Sequence, residues 1–225
     1  MGNQAGESVL ANVGRHHAQR YLEWYYETAV WKRVLYRGVR TLKFVSDLWN
    51  YQEIVCEHEI DWIIETGTRY GGTAVFFGDL LTARGACGEV VTVDIHSRFL
   101  HPLARGHPKV RCLLGDSASP EILERVRGLL SGSRGSILVI LDSDHRSDHV
   151  LRELKAYVPL MRRGDYLVVE DTIINGRPVR PEFGPGPAEA LEKFLEAHAD
   201  LLRHDVSRES KFGCSFAAGG YFVRE

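Results

Sequence analysis

Short apolar runs alternate with stretches of helical period from residue 60 to about residue 200. "DWIIE" (61–65), "EVVTVD" (89–94), "VRCLL" (110–114), "SILVIL" (136–141) and "DYLVVE" (165–170) predict strands. These runs are nearly continuous in apolar residues rather than alternating, as strands covered on both faces are. Between them the pattern turns helical. It is clearest over 147–160, where Val150, Leu151, Leu154 and Val158 form one apolar face. Strand and helix in this alternation predict a doubly wound, Rossmann-like α/β sheet with right-handed crossovers. The tail "FGCSFAAGGYFVRE" lacks helical period and predicts a closing antiparallel hairpin. Residues 1–50 differ in kind. "YLEWYYETAVWKRVLY" (21–36) is dense in aromatics and predicts a helix. We divide the chain into a helical extension or lid over 1–50 and a main domain over 51–225.

Composition narrows the class. The chain has 225 residues, 44% hydrophobic and 26% charged, with a net charge of −2. That suits one α/β domain and gives no electrostatic case for nucleic acid or an anionic membrane as partner. No basic start with an apolar core opens the chain, and its longest clean apolar run, "ILVIL", is far too short to span a bilayer. The expectation is a cytoplasmic protein. Cys56, Cys87, Cys112 and Cys214 are scattered without a CxxC pair, which predicts buried free thiols.

The chemistry gathers at strand ends. In an open parallel sheet, ligands bind beyond the carboxyl ends of the strands, where the strand order reverses. The turn after the first strand reads "ETGTRYGGT", with Glu65, Gly67, Thr68, Gly71, Gly72 and Thr73. It is not GxGxxG, so a dinucleotide is disfavoured, yet its glycines permit close backbone approach to a ligand. Glu65 alone could equally cap the next helix. Asp94, followed by Ile95, ends the second strand, and an acid there can accept both hydroxyls of a ribose. Asp116 and Ser117 end the third, on the side where an adenine edge would lie. The fourth strand ends in Asp142, Asp144 and His145, and the fifth in Glu170 and Asp171. Four carboxylates at one sheet edge repel unless a cation joins them. All are oxygen ligands, which favours Mg²⁺, with Ca²⁺ or Mn²⁺ compatible. The alternative is an acidic rim bridged by Arg69, Arg146 or Arg163.

At these residues the chain resembles a known family. "SDLWNYQEIV", "ETGTRYGGTAVFF", "LDSDH", "GDYLVVEDT" and "EFGPGPAEALEKFL" are similar to the rhamnosyl O-methyltransferase and cephalosporin hydroxylase family, over roughly residues 40 to 223. That resemblance implies a class I methyltransferase fold and S-adenosylmethionine (SAM) as cofactor. It places the methionine end of SAM at Glu65, Gly67 and Thr73, the ribose on Asp94, and the adenine by Asp116 and Ser117. "LDSDH" and "ED" also resemble the Mg²⁺-dependent catechol-type O-methyltransferases. By that likeness Asp142 is the first metal ligand and Glu170 and Asp171 are the others. The spacing of the cephalosporin branch selects Asp144 instead of Asp142, so both stay candidates. His145 lies where the catechol-type enzymes carry a lysine base, and an imidazole can do that work nearer neutral pH.

The resulting expectation is metal-dependent O-methylation of a small hydroxylated acceptor, a sugar or a natural-product glycoside, by a homo-oligomer. Residues 1–50 and the loop "NGRPVRPEFGPGP" (175–187) are expected to build the acceptor pocket; the aromatic segment near Trp24 and Trp31 offers a stacking surface for the acceptor, but such a segment is more often a packing or oligomer surface. A hydroxylase is the rival suggested by the family name, but no triad of two His and one carboxylate stands near the sheet edge. A SAM-binding protein without catalysis is the other rival; the intact acid cluster argues against it.

Overall fold

A computed structural model describes residues 3–225; of the expected extension, residues 1 and 2 lie outside the described residues. The chain opens on α1 (Asn3–Glu27), then a 3-10 turn at Val30–Arg33 and a small hairpin of β1 (Leu35–Tyr36) and β2 (Val39–Arg40). Next come α2 (Val45–Glu57), β3 (Ile60–Thr66), α3 (Gly72–Arg84), β4 (Val90–Asp94), α4 (Pro102–Arg105) and β5 (Val110–Leu114). The second half holds α5 (Pro120–Leu130), β6 (Ser136–Leu141), α6 (Ser147–Tyr157), β7 (Tyr166–Val169) and α7 (Pro187–His198). It closes with β8 (Leu202–His204), α8 (Val206–Ser210) and β9 (Tyr221–Arg224). The boundary drawn at residue 50 falls inside α2.

Seven strands form one sheet in the order β5-β4-β3-β6-β7-β9-β8. β3 to β7 are parallel, and β9 runs antiparallel between β7 and β8. The sheet closes on the expected antiparallel pair, β8 and β9; the tail supplies only β9, and β8 lies upstream of it. The order reverses at β3, which pairs with β4 on one side and β6 on the other. Successive strand residues face opposite sides. Ile64, Val91, Val139 and Leu141 pack under α5, α6 and α7, through Ile122, Leu154 and Phe194. Ile63, Val90, Leu138 and Ile140 meet α2 and α3, through Ile54, Phe77 and Leu81. Both faces are covered, which is why the strands read as continuous apolar runs. The α6 pattern gives way to a 3-10 turn at Val158–Leu160, where Pro159 has no N–H for an α-helical bond.

The extension packs on the main domain. Leu22 and Tyr25 of α1 bury against Phe44, Ile173, Ile174 and Phe216, and the Tyr25 and Phe44 rings meet edge to face at 4.7 Å. The cysteines are free but not buried: Cys56, Cys87 and Cys112 are exposed and Cys214 is intermediate. Cys112 lies on β5, an edge strand whose residues mostly face outward. Among the described residues, no helix is long and apolar enough to cross a membrane.

Candidate active site

Glycines let the ends of β3 and β6 touch. Gly67 has φ +90°, and a Cβ there would lie 2.0 Å from the carbonyl oxygen of Asp142. The Asp142 N–H in turn donates to Thr66 Oγ1 at 3.1 Å. Gly72 opens α3, and a Cβ there would meet the Arg40 carbonyl at 2.2 Å. The amides of the first turn of α3 therefore lie beside the glycine turn, where a helix N-terminus favours an anionic group.

Beyond these strand ends lies a cavity of about 700 Å³, whose walls include Gly67, Thr73, Asp94, Asp116, Ser117 and Asp142. Asp94 is fixed by two backbone donors, Arg69 N to Oδ2 at 2.8 Å and His96 N to Oδ1 at 3.1 Å. Ile95, 70% exposed, forms part of the same wall. Asp116 pairs with Arg152 at 3.2 Å. Ser117 is buried and donates to Glu153 at 2.5 Å.

Glu65 is not on the cavity wall. It is fully buried, and its Oε2 accepts from Thr92 Oγ1 at 2.7 Å, which is itself 2.7 Å from Thr68 Oγ1 at the wall. Oε1 of Glu65 has no protein partner. Burial raises its carboxyl to about 7, against the opposing pull of Lys43. A glycine cradle beside a helix N-terminus and a fixed acid at the next strand end fit a ligand with a carboxylate and vicinal hydroxyls, as SAM has.

The second constellation joins Asp142, His145 and Asp171, whose ligand atoms all lie within 4.8 Å of one another. His145 Nε2 is 3.1 Å from Asp171 Oδ2. Burial raises the carboxyls of both Asp142 and Asp171 above the usual range; Lys43 opposes this at Asp142 and His145 at Asp171. Two carboxylates and an imidazole converging in a half-buried place fit a divalent cation. Asp144 stands apart from this cluster. Its carboxylate accepts from the Arg146 backbone N–H at 3.1 Å and pairs with the Arg146 guanidinium at 2.5 Å, so it is already satisfied at the surface. Glu170 is held just behind the cluster. Lys43 Nζ donates to its Oε1 at 2.6 Å, and the Tyr51 hydroxyl donates to the same oxygen.

Lys43 and Tyr51 escaped the sequence reading. Lys43 is 2% exposed and also pairs with Asp142. Burial pushes its ammonium down, but Asp142 and Glu170 outweigh that and hold it above the usual lysine range. The available signal was a lone lysine in the apolar run "TLKFV" (41–45).

A second cavity, of about 690 Å³, adjoins the first. Trp31, Leu42 and His145 line both. The extension contributes Tyr26 to its wall, and the 175–187 loop contributes Pro178 and Arg180. Trp24 is not on that wall and stands 52% exposed.

A doubly wound sheet closed by an antiparallel strand, with acids gathered past the carboxyl ends at the reversal point, defines a class I methyltransferase architecture. A CmcI structure with Mg and SAM superposes with a TM-score of 0.69 at 22% identity, over 86% of this chain and 77% of that one. The apo structure of CalS11, a TDP-rhamnose 3′-O-methyltransferase of calicheamicin biosynthesis, matches with a TM-score of 0.53 at 17% identity, over 80% and 79%. At such identities these likenesses show the fold. The chain itself belongs to the rhamnosyl O-methyltransferase/CmcI family, whose profile matches residues 28–225. The rhamnosyl O-methyltransferase of Mycobacterium tuberculosis is 45% identical over 207 residues, 92% of this chain and 84% of its own length. That of Mycobacterium leprae is 44% identical over 208 residues, covering 92% and 90%.

Proposed function

We propose that this protein transfers the methyl group of SAM to a hydroxyl of a sugar or glycoside, with a divalent cation at the cluster. The carrying observation is the convergence of Asp142, His145 and Asp171 where the two cavities meet: Asp142 and His145 line the first with Asp94 and Asp116, and Asp171 lines the second with His145. Relatives named rhamnosyl O-methyltransferase at 45% and 44% identity support a sugar hydroxyl as acceptor.

The chain's own groups divide the work. Asp94 accepts the ribose hydroxyls, and the Gly67 turn carries the methionine end past Thr73. Ser117 and Ile95 flank the adenine. Asp142 and Asp171 hold the cation, with Glu170 behind them. When bound, that ion lowers the pKa of an acceptor hydroxyl and fixes which of two neighbouring hydroxyls is presented. The methyl–sulfur bond breaks as the oxygen–methyl bond forms, and the sulfonium becomes a neutral thioether. The hydroxyl proton passes to His145, whose ring Asp171 orients at 3.1 Å. Placing the oxygen in line with the methyl contributes up to roughly 7–11 kcal/mol. A hydroxylase of the facial-triad type needs two histidines and one carboxylate, and this cluster has the reverse composition.

The test combines titration and turnover. SAM should bind and Mn²⁺ should bind, each measured by calorimetry. Methyl transfer to a rhamnoside, followed by mass spectrometry, should stop in excess EDTA and return with Mg²⁺. Full turnover in the chelator with the fold intact would remove the cation from the reading. Absence of SAM binding would remove the reading altogether.

A further inference from the structure

Two arginines on the wall of the first cavity have no acid to answer them. Four carboxylates line that wall, and each is already engaged. Asp94 accepts from the Arg69 and His96 backbone N–H groups, Asp116 pairs with Arg152, Asp142 with Lys43, and Asp144 with Arg146. The histidines of the wall also face acids: His96 faces Asp94, His145 faces Asp171 and His149 faces Glu153. The guanidiniums of Arg40 and Arg69 remain. Both line the cavity, and among the described residues neither side chain pairs with a carboxylate.

These two guanidiniums are held in place by aromatic rings. That of Arg40 lies 5.3 Å from the centre of the Tyr70 ring, and its Nη1 donates to the Tyr70 hydroxyl at 3.3 Å. That of Arg69 lies 4.5 Å from the centre of Phe99 and 5.7 Å from that of Tyr70. Stacking orders a guanidinium through its face and leaves N–H groups on its edge free for an anion. Both arginines stand at the glycine end of the cavity. Arg69 belongs to the turn that holds Gly67 and Gly71. Arg40 ends β2, and its carbonyl packs against Gly72, the first residue of α3. The hairpin that carries Arg40 is pinned to the same helix: the Tyr36 hydroxyl and Arg37 Nη1 each donate to Asp79 at 3.0 Å. Unanswered positive charge is thus confined to one end of the cavity. SAM has one anionic group, the α-carboxylate at its methionine end, and the fork of an arginine matches a carboxylate.

We propose that Arg40 and Arg69 close on the α-carboxylate of the methyl donor and set the preference for donors with an intact amino-acid end. The inference rests on the methyltransferase reading. It makes the β1–β2 hairpin part of the donor site, so the segment before α2 contributes to donor binding as well as covering the domain.

The experiment is calorimetry on the full chain with two probes, S-adenosylhomocysteine and its decarboxylated analogue S-adenosyl-3-thiopropylamine. The wild type should bind S-adenosylhomocysteine at least about tenfold more tightly than the analogue. R40Q and R69Q should each weaken S-adenosylhomocysteine by about tenfold and leave the analogue within about twofold of its wild-type affinity. Both arginines are exposed, so the melting temperature of each variant should match the wild type. Affinity for S-adenosylhomocysteine unchanged in either variant would overturn the assignment, as would an equal loss for both probes. TDP binding to the wild type saturated with S-adenosylhomocysteine, abolished by R40Q while S-adenosylhomocysteine still binds normally, would assign the guanidiniums to a phosphate instead. A wild type that binds neither probe would defeat the methyltransferase reading itself.

Discussion

The Lys43 ammonium donates to Oε1 of Glu170 at 2.6 Å, across 127 positions of chain, and both side chains are only 2% exposed. The lysine arrives from the segment joining the β1–β2 hairpin to α2, and the glutamate from the end of β7. Removing one member of such a buried pair strands the other charge, at a cost of about 3–5 kcal/mol. K43M should lose that much stability in urea titration, and adding E170Q should recover part of it. A loss below about 1 kcal/mol would show that the pair is not needed for folding.

Asp94 should carry the cofactor. Its carboxylate is oriented by two backbone N–H groups and faces the first cavity. Charge-assisted hydrogen bonds are worth roughly 1.5–3 kcal/mol, so D94A should weaken SAM by one to two orders of magnitude in calorimetry. Mn²⁺ binding should stay as in the wild type. An unchanged SAM isotherm would take the ribose away from Asp94.

H145A separates two roles for one imidazole. As a base, His145 contributes about 10² to 10⁴ in kcat, so the variant should turn over slowly while binding SAM and Mn²⁺ normally. Loss of Mn²⁺ affinity in step with kcat would make His145 a metal ligand. A fall of less than about tenfold would leave proton removal to solvent.

Stability should fall with rising pH below neutrality, and Glu65 should be one cause. Burial raises its carboxyl to about 7. The folded chain thus keeps a proton that the unfolded chain has already released. Where the native state binds more protons, stability decreases as pH rises. The decline should run from the ordinary carboxylate range up to about 7 and then level off. Asp47 adds a second contribution of the same sign, pushed to about 7 by burial and by Glu170. E65Q should flatten the slope by up to about 1.4 kcal/mol per pH unit. An identical slope in E65Q would place the proton elsewhere.

The strand ends were readable because parallel strands buried on both faces announce themselves as apolar runs, and each run here has an acid at its end or within two residues of it. What sequence could not give was the direction in which those acids point. Asp142 and Asp144 are two residues apart, and only the loop decides that one faces Lys43 while the other turns back on Arg146. Lys43 was invisible for a different reason. Its partners are 99 and 127 positions away, so no local period marks it. The first strand of the closing pair, β8, lies upstream of the tail and was not legible there because it is three residues long, too short to show a pattern in the sequence. The cysteine expectation followed a general tendency of the residue type, which an edge strand such as β5 does not obey.

Gly67 has one last implication. Its backbone rests against the carbonyl of Asp142, leaving no room for even a methyl group between them. The loop that would seat the methyl donor and the residue that would anchor the metal are thus welded into one block. Re-engineering this enzyme for a new acceptor cannot proceed by loosening that joint, since donor and ion would lose their alignment together. The side left to adjust is the second cavity, where Pro178 and Arg180 of the 175–187 loop line the wall.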